Sequence, residues 1–327
     1  MTHLLVGNPT AQSGKNAARI ERAREGLAKL GVACDLLATE PEGKTIAAVA
    51  RAAERYECII AMGGDGTFRE VASGILDSKR DVAMAMLPTG TANDQGRSFG
   101  LEAGEDALER NLAVVARAHE TRLDAGRIVA GDRTAWFFDS AGWGISARVL
   151  RERNADRAFV DEHLPALKPL YRDHMVYVGA LARVFFESYV IDDKFVAEID
   201  GVGALEGLTD LIVKNTRIYG GAWVLDRASK HDDGLFEIVP FRGKRDWTSK
   251  AIVDLEGNPI TEELLNAIGV EHSKPFRASK IVMRLVPPAG GAPLAAQIDG
   301  EEFPATVNVT IDVVPRALRL VVPEESA

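Results

Sequence analysis

Five residues, Gly63-Gly64-Asp65-Gly66-Thr67, constrain the fold of this chain more than any other segment. Before them runs Cys58-Ile59-Ile60-Ala61-Met62, apolar throughout, as a buried strand would be. After them, Phe68 to Leu76 carries apolar residues at helical spacing. A strand that turns through glycines into a helix presents bare backbone N–H groups and a helix N-terminus to phosphate. Glycine permits the positive φ and the close approach that a side chain would block. The odd element is Asp65. Beside phosphate a carboxylate is repulsive unless it engages Mg²⁺, directly or through water.

Two familiar phosphate loops are excluded. Between Gly7 and Gly14-Lys15 lie six residues where a Walker loop has four, and Asn16 replaces its Ser/Thr. Gly64-Asp65-Gly66 opens like a dinucleotide fingerprint, but Arg69 stands at the third glycine position.

Further segments converge on the same chemistry. Leu4-Leu5-Val6-Gly7-Asn8-Pro9 is a strand running into a polar turn that reaches Lys15, and the next helix places Ile20, Ala23, Leu27 and Leu30 on one face. A third apolar strand, Val82 to Met86, ends in Leu87-Pro88-Thr89-Gly90-Thr91-Ala92-Asn93-Asp94. Strands and helices alternate to about residue 123, with a strand at 32–39, a helix at 44–55 turning Ile46, Val49, Ala50 and Ala53 inward, and a helix at 105–118. This alternation predicts a three-layer α/β domain with a parallel sheet, which binds ligands at its strand C-termini. At Arg122-Leu123-Asp124-Ala125-Gly126 the texture changes, and strands follow one another at 127–130, 135–140, 195–199, 208–215, 235–240 and 280–286. Gly131-Asp132 suggests a hairpin between the first two. The expected organisation is a parallel α/β domain over 1–123 and a β-rich, sandwich-like domain over 124–305.

Composition narrows the function classes. Of 327 residues, 46% are hydrophobic, ample for two cores, and 27% are charged. A net charge of −9 argues against broad electrostatic binding to nucleic acid. Cys34 and Cys58 are expected to be reduced core residues, and six scattered histidines lack zinc spacing. The start, Met1-Thr2-His3-Leu4, does not read as a signal peptide, and no uncharged apolar run reaches the ~20 residues of a membrane span. A cytoplasmic location is expected.

Asn8-Pro9, Gly63 to Thr67 and Pro88 to Asp94 together resemble the nucleotide motifs of the diacylglycerol kinase catalytic-domain family, which includes bacterial lipid kinases and the sphingosine and ceramide kinases. Asp232-Asp233-Gly234-Leu235 resembles that family's metal segment, and Ile298-Asp299-Gly300-Glu301 the segment with its catalytic carboxylate. The likeness spans nearly the whole chain in the right order, with a departure at Ala222-Trp223, where a third glycine is usual.

The resemblance implies an ATP- and Mg²⁺-dependent kinase acting on a lipid hydroxyl, with diacylglycerol first and sphingoid bases or ceramides as alternatives. Asn8, Pro9, Thr10, Thr39, Gly63, Gly64, Asp65, Gly66, Thr67, Thr91 and Asn93 would contact nucleotide. Asp65, Asp94 and Asp124 would hold Mg²⁺ and water near the phosphates, and Glu301 would accept the hydroxyl proton. Asp233, with the backbone carbonyls of Lys230 and Leu235, would form a second Mg²⁺ site supporting Glu301. The last strand, around 317–322, would return to the first domain, bringing 306–327 with it. The lipid would be met at the inner membrane face, and a homodimer is compatible with the chain. Leu170 to Phe186, approached through Pro165 and Pro169, has a broad apolar face that suits either a lipid or packing against the β-rich region. Other readings are an NAD kinase or phosphofructokinase relative, sharing the Gly-Gly-Asp-Gly turn, or a regulator that has lost catalysis.

Overall fold

The structure is a computed structural model describing residues 3–10, 15–41, 43–90, 93–152, 154, 194–220, 223–243, 246, 249–250 and 273–326. The first half alternates: β1 (His3–Gly7), α1 (Lys15–Lys29), β2 (Cys34–Ala38), α2 (Lys44–Ala52), β3 (Cys58–Gly63), α3 (Asp65–Ser78), β4 (Ala83–Pro88), α4 (Asp94–Ser98) and α5 (Glu105–Arg117). Its four strands pair in parallel in the order β2-β1-β3-β4. The inner strands are apolar at every position but His3 because both faces are covered. Leu4, Val6, Ile59, Ala61, Met84 and Met86 pack under α2 and α3. The alternate residues, Leu5, Ile60, Met62, Ala85 and Leu87, pack under α1 and α5. The period of two along each strand thus builds two cores and three layers.

Details of the helical faces differ from expectation. Ile20, Ala23 and Leu27 are buried, but Leu30 lies beyond the end of α1 and is 48% exposed. On α2 the buried set is Thr45, Val49, Ala52 and Ala53, with Ile46 and Ala50 only half-buried. The face is rotated because α2 crosses α3 closely at Gly74, where a Cβ would lie 2.7 Å from the Ile46 carbonyl oxygen and from Val49. Thr45 tolerates burial because its hydroxyl bonds both backbone groups of Glu40.

Antiparallel strands then dominate: β5 (Glu120–Ala130), β6 (Arg133–Phe137), β7 (Ser140–Gly144), β8 (Phe195–Ile199), β9 (Gly203–Leu208), β10 (Asp210–Lys214), β11 (Phe236–Phe241), β12 (Phe276–Ala278), β13 (Lys280–Val286), β14 (Ala296–Ile298), β15 (Glu301–Phe303) and β16 (Asn308–Val321). Six of them form a second sheet, β12-β11-β10-β7-β14-β15. The rest extend the first sheet through β16, which pairs in parallel with β4 at Arg319 and Leu320 and antiparallel with β5 and β13. A buried cluster including Trp143, Phe195, Leu211, Phe236, Met283 and Ile311 lies between the two sheets. The mixed α/β sheet with a second, antiparallel sheet is the fold class expected from the sequence.

Two strand boundaries moved. The strand expected at 127–130 begins at Glu120, because β5 follows β16 from Val321 back to Val309, with a register shift at Val314/Leu318. The strand expected at 135–140 is broken after Phe137, since the N–H groups of Phe138 and Asp139 turn away from the ladder to the carboxylate of Asp299. The Gly131-Asp132 turn does join paired strands, with Ala130 opposite Arg133 and Gly131 at φ 64°. Cys34 and Cys58 are both free thiols, the second buried.

Candidate active site

The polar turns of the first half gather along one edge of the parallel sheet, at the C-terminal ends of β1 to β4. Asn8 accepts hydrogen bonds from the Thr10 N–H (3.0 Å) and hydroxyl (2.8 Å), so Asn8-Pro9-Thr10 is a self-braced turn after β1. Thr39 donates its N–H to the Gly7 carbonyl (3.0 Å), and Thr89 donates to Gly63 (2.8 Å), tying β2 to β1 and the β4 turn to β3.

The glycines are needed for proximity. Gly64 has φ −98°, and Gly63, Gly66 and Gly90 are likewise outside the left-handed region, contrary to the positive φ allowed for in the sequence reading. A Cβ on Gly90 would lie 2.6 Å from Gly64 Cα, and one on Gly63 would lie 2.2 Å from the Thr67 hydroxyl. Two turns therefore touch backbone to backbone, a cradle that side chains would fill. Asn93, at φ 53°, closes it by accepting from the Gly90 N–H (2.9 Å) and donating to the Gly90 carbonyl (2.6 Å). Thr91 lies outside the described residues.

Asp65 opens α3 and accepts the Gln95 N–H at 3.2 Å, linking the glycine turn to the start of α4. Burial, and secondarily Asp139, push its pKa up. Asp94 is pushed to about 7 by burial and by the charges of Asp139 and Asp65. The structure thus brings Asp65 and Asp94 together and adds Asp139, which the sequence reading missed because nothing near Phe137-Phe138-Asp139 marks it. Lys214, also missed, is buried at the end of β10 and bonds Asp139, the Thr216 hydroxyl (3.3 Å) and the Ile218 carbonyl (2.5 Å). Its only advance signal is a lysine closing an apolar strand. Gly220 donates its N–H to Asp94 (2.6 Å), and Ile218 donates to Ser98 (3.0 Å), so the segment after β10 is fastened onto the first half.

Asp124 stands elsewhere. Fully buried, it accepts the N–H groups of Gly234 (2.7 Å) and Arg316 (2.6 Å). Burial raises its pKa, and the neighbouring charges acting on it are Asp233 and Asp232. In this geometry Asp124 pins the 231–234 loop to β16. Asp233 is exposed and accepts the Leu235 N–H at 3.1 Å, while Lys230 is exposed.

Glu301 arrives from the second sheet. Asp299 (φ 47°) and Gly300 (φ 74°) form a two-residue turn of the I′ kind, placing Ile298 opposite Glu301. Asp299 is buried and accepts the N–H groups of Phe138, Asp139 (2.7 Å) and Ser140 (3.1 Å), which locks the turn. Burial and the charge of Asp139 push its carboxyl to about 7, against the stabilising backbone N–H groups. Thus held, Glu301 reaches the glycine turn: a Cβ on Gly66 would lie 2.6 Å from its Oε1. Its other oxygen pairs with Arg69 of α3.

For nucleotide, the donor set fits: a glycine cradle at the head of α3 with room only for backbone. For Mg²⁺, no group of three His, Cys, Asp or Glu among the described residues converges on a metal position. Asp65 and Asp94 fit the usual Mg²⁺ arrangement, in which one or two carboxylates are completed by water and phosphate oxygens.

Comparison with known proteins agrees with the motif geometry. The family model described as the diacylglycerol kinase catalytic domain matches residues 2–128. A diacylglycerol kinase of Staphylococcus saprophyticus is 30% identical over 149 residues, 45% of this chain and 47% of that protein. One from Staphylococcus aureus is 33% identical over 149 residues, 45% of each chain. The alignment spans about half the length of these curated relatives. Among solved structures, a diacylglycerol kinase from Bacillus anthracis superposes with a TM-score of 0.70 at 16% identity, over 100% of this chain and 98% of the other. A second, titled a putative diacylglycerol kinase from the same organism, gives 0.71 at 17% identity, over 100% and 96%. At such identities the likeness establishes the fold across both halves.

Proposed function

We propose that this chain is an ATP- and Mg²⁺-dependent lipid kinase that phosphorylates the free hydroxyl of diacylglycerol to give phosphatidic acid. The observation that carries this reading is the meeting of Glu301 with Gly66, a carboxylate from the antiparallel sheet placed against the phosphate-type turn of the parallel one. Residues 1–123, with 306–327, would hold nucleotide, and residues 124–305 would hold lipid. Asn8, Thr10, Thr39 and the glycine turn would surround ATP at the strand ends. Asp65 and Asp94 would hold Mg²⁺, which neutralises phosphate charge when bound.

The acceptor hydroxyl is a poor nucleophile until its proton has somewhere to go. Glu301 would accept it as the oxygen–phosphorus bond forms and the bond to the β-phosphate oxygen breaks, ADP leaving with the electron pair. The turn locked by Asp299 orients this carboxylate. Among the described residues no helix is long and apolar enough to cross a membrane, so the lipid would be met at a membrane surface, the cytoplasmic one in this reading. The Leu170–Phe186 segment, expected to flank the lipid or pack on the sandwich, lies outside the described residues.

The test is transfer of labelled phosphate from ATP to a panel of diacylglycerol, sphingoid base, ceramide and polar metabolites. Diacylglycerol should be the best acceptor, and Glu301→Gln should lower kcat by roughly 10²–10⁴ without any loss of ATP affinity. Phosphorylation of NAD or a sugar phosphate with no lipid acceptor would refute the assignment.

A further inference from the structure

Arg69 was first notable only as the residue that spoils a dinucleotide fingerprint. In the folded chain it lies one turn into α3, with its side chain 20% exposed, and bridges to Glu301, whose side chain is 50% exposed. Only Nη2 is used in this pair. The Arg69 Nε is buried and has no hydrogen-bond partner. A guanidinium is a planar fork suited to two acceptor oxygens at once, so a one-armed contact with a buried, unused N–H leaves its capacity unfilled. The positive charge also acts on Glu70 and Asp299, holding down the pKa of each against burial. One cation thus serves three carboxylates at the head of a helix.

The placement of Glu301 explains the mismatch. Its Oε1 lies over Gly66 in the first turn of α3, where backbone N–H groups and the helix dipole favour an anion. The carboxylate therefore holds both the helix end and the guanidinium, as a phosphoryl group would. We propose that Arg69 is a ligand of the terminal phosphoryl group of ATP, and that its pairing with Glu301 is a resting contact exchanged for phosphate when nucleotide binds. This rests on the kinase reading above. The exchange gives the fork two phosphate oxygens and satisfies Nε. It also frees Glu301 from its cation, so that the carboxylate can accept the hydroxyl proton. Arg69 stays protonated throughout and only donates hydrogen bonds.

The test needs no lipid. Affinities for ADP and for a non-hydrolysable ATP analogue, both with Mg²⁺, are measured by calorimetry on wild type, Arg69→Met, Arg69→Lys and Glu301→Gln, with melting temperatures as folding controls. Arg69→Met should lose about tenfold or more of the analogue-over-ADP preference while ADP affinity moves less than about threefold, and Arg69→Lys should recover part of it. Glu301→Gln should bind the analogue several-fold more tightly, because the rival anion is gone. An unchanged analogue/ADP ratio in Arg69→Met, or an equal loss of both ligands, overturns the role of Arg69. Unchanged or weaker analogue binding in Glu301→Gln overturns the exchange. A wild type that binds neither nucleotide defeats the kinase reading itself and this inference with it, a result distinct from the others.

Discussion

Gly66→Ala separates catalysis from stability in a single methyl group. The new Cβ would stand 2.6 Å from Glu301 Oε1, and ordinary contact begins at 3.4 Å, so the carboxylate must retreat by about 0.8 Å. The obstacle is the far end of a flexible side chain, and the Gly66 backbone has no positive φ, so the helix itself accepts alanine. Replacing glycine in a helix gains at most about 1 kcal/mol, and less this close to the N-terminus. A displacement near 1 Å at a reacting group can cost about 10² in rate. The expected variant melts at or slightly above the wild-type temperature and loses roughly 10–100-fold in kcat, with the ATP KM little changed. Steady-state kinetics with saturating lipid, beside differential scanning calorimetry, measures both. A kcat within threefold of wild type would refute the claim that Glu301 works where it meets Gly66. A melting temperature lowered by many degrees would show that the methyl group disturbs the turn instead.

Asp299→Ala leaves the N–H groups of Phe138, Asp139 and Ser140 without their acceptor, and at about 1–3 kcal/mol for each buried orphan a loss of at least about 3 kcal/mol is expected, read by urea unfolding. Asp299→Asn, which retains an acceptor oxygen, should lose clearly less; equal losses would mean that the hydrogen bonds do not hold the turn. Glu237 is fully buried in β11, and burial raises its carboxyl from 4.5 to about 7. The folded state therefore binds this proton more tightly than the unfolded one, so its contribution to stability is full below pH 4.5 and declines as pH rises toward about 7. Glu237→Gln should thus gain melting temperature relative to wild type between those pH values, and parallel curves would remove Glu237 as the cause. If the 230–235 loop binds a second Mg²⁺, the ion should raise the melting temperature of the nucleotide-free protein, and Asp233→Asn should abolish that rise; the same rise in both would leave Asp233 as the turn residue that its bond to the Leu235 N–H describes.

Regular, local patterns were legible in the sequence. The apolar runs of strands β1, β3 and β4, the helices between them, and the glycine turn at the head of α3 follow from patterns read over a few residues. Turn chemistry was similarly local, as at Gly131-Asp132. Tertiary structure decided what meets what. Arg69 and Glu301 are 232 positions apart, and Asp299 takes N–H groups from residues some 160 positions earlier. No local signal foretold Asp139, and only its place at the end of an apolar strand hinted at Lys214, since a carboxylate or ammonium shows its environment only once distant strands have buried it. The same cause split β6 from β7 and separated Asp124 from Asp65 and Asp94: hydrogen-bond partners supplied by remote segments, an acceptor from Asp299 and donors from Gly234 and Arg316, outcompeted the local pattern. Periodicity belongs to a stretch of chain. Pairing belongs to the packed whole, because burial makes each polar group depend on whichever partner the fold brings within reach.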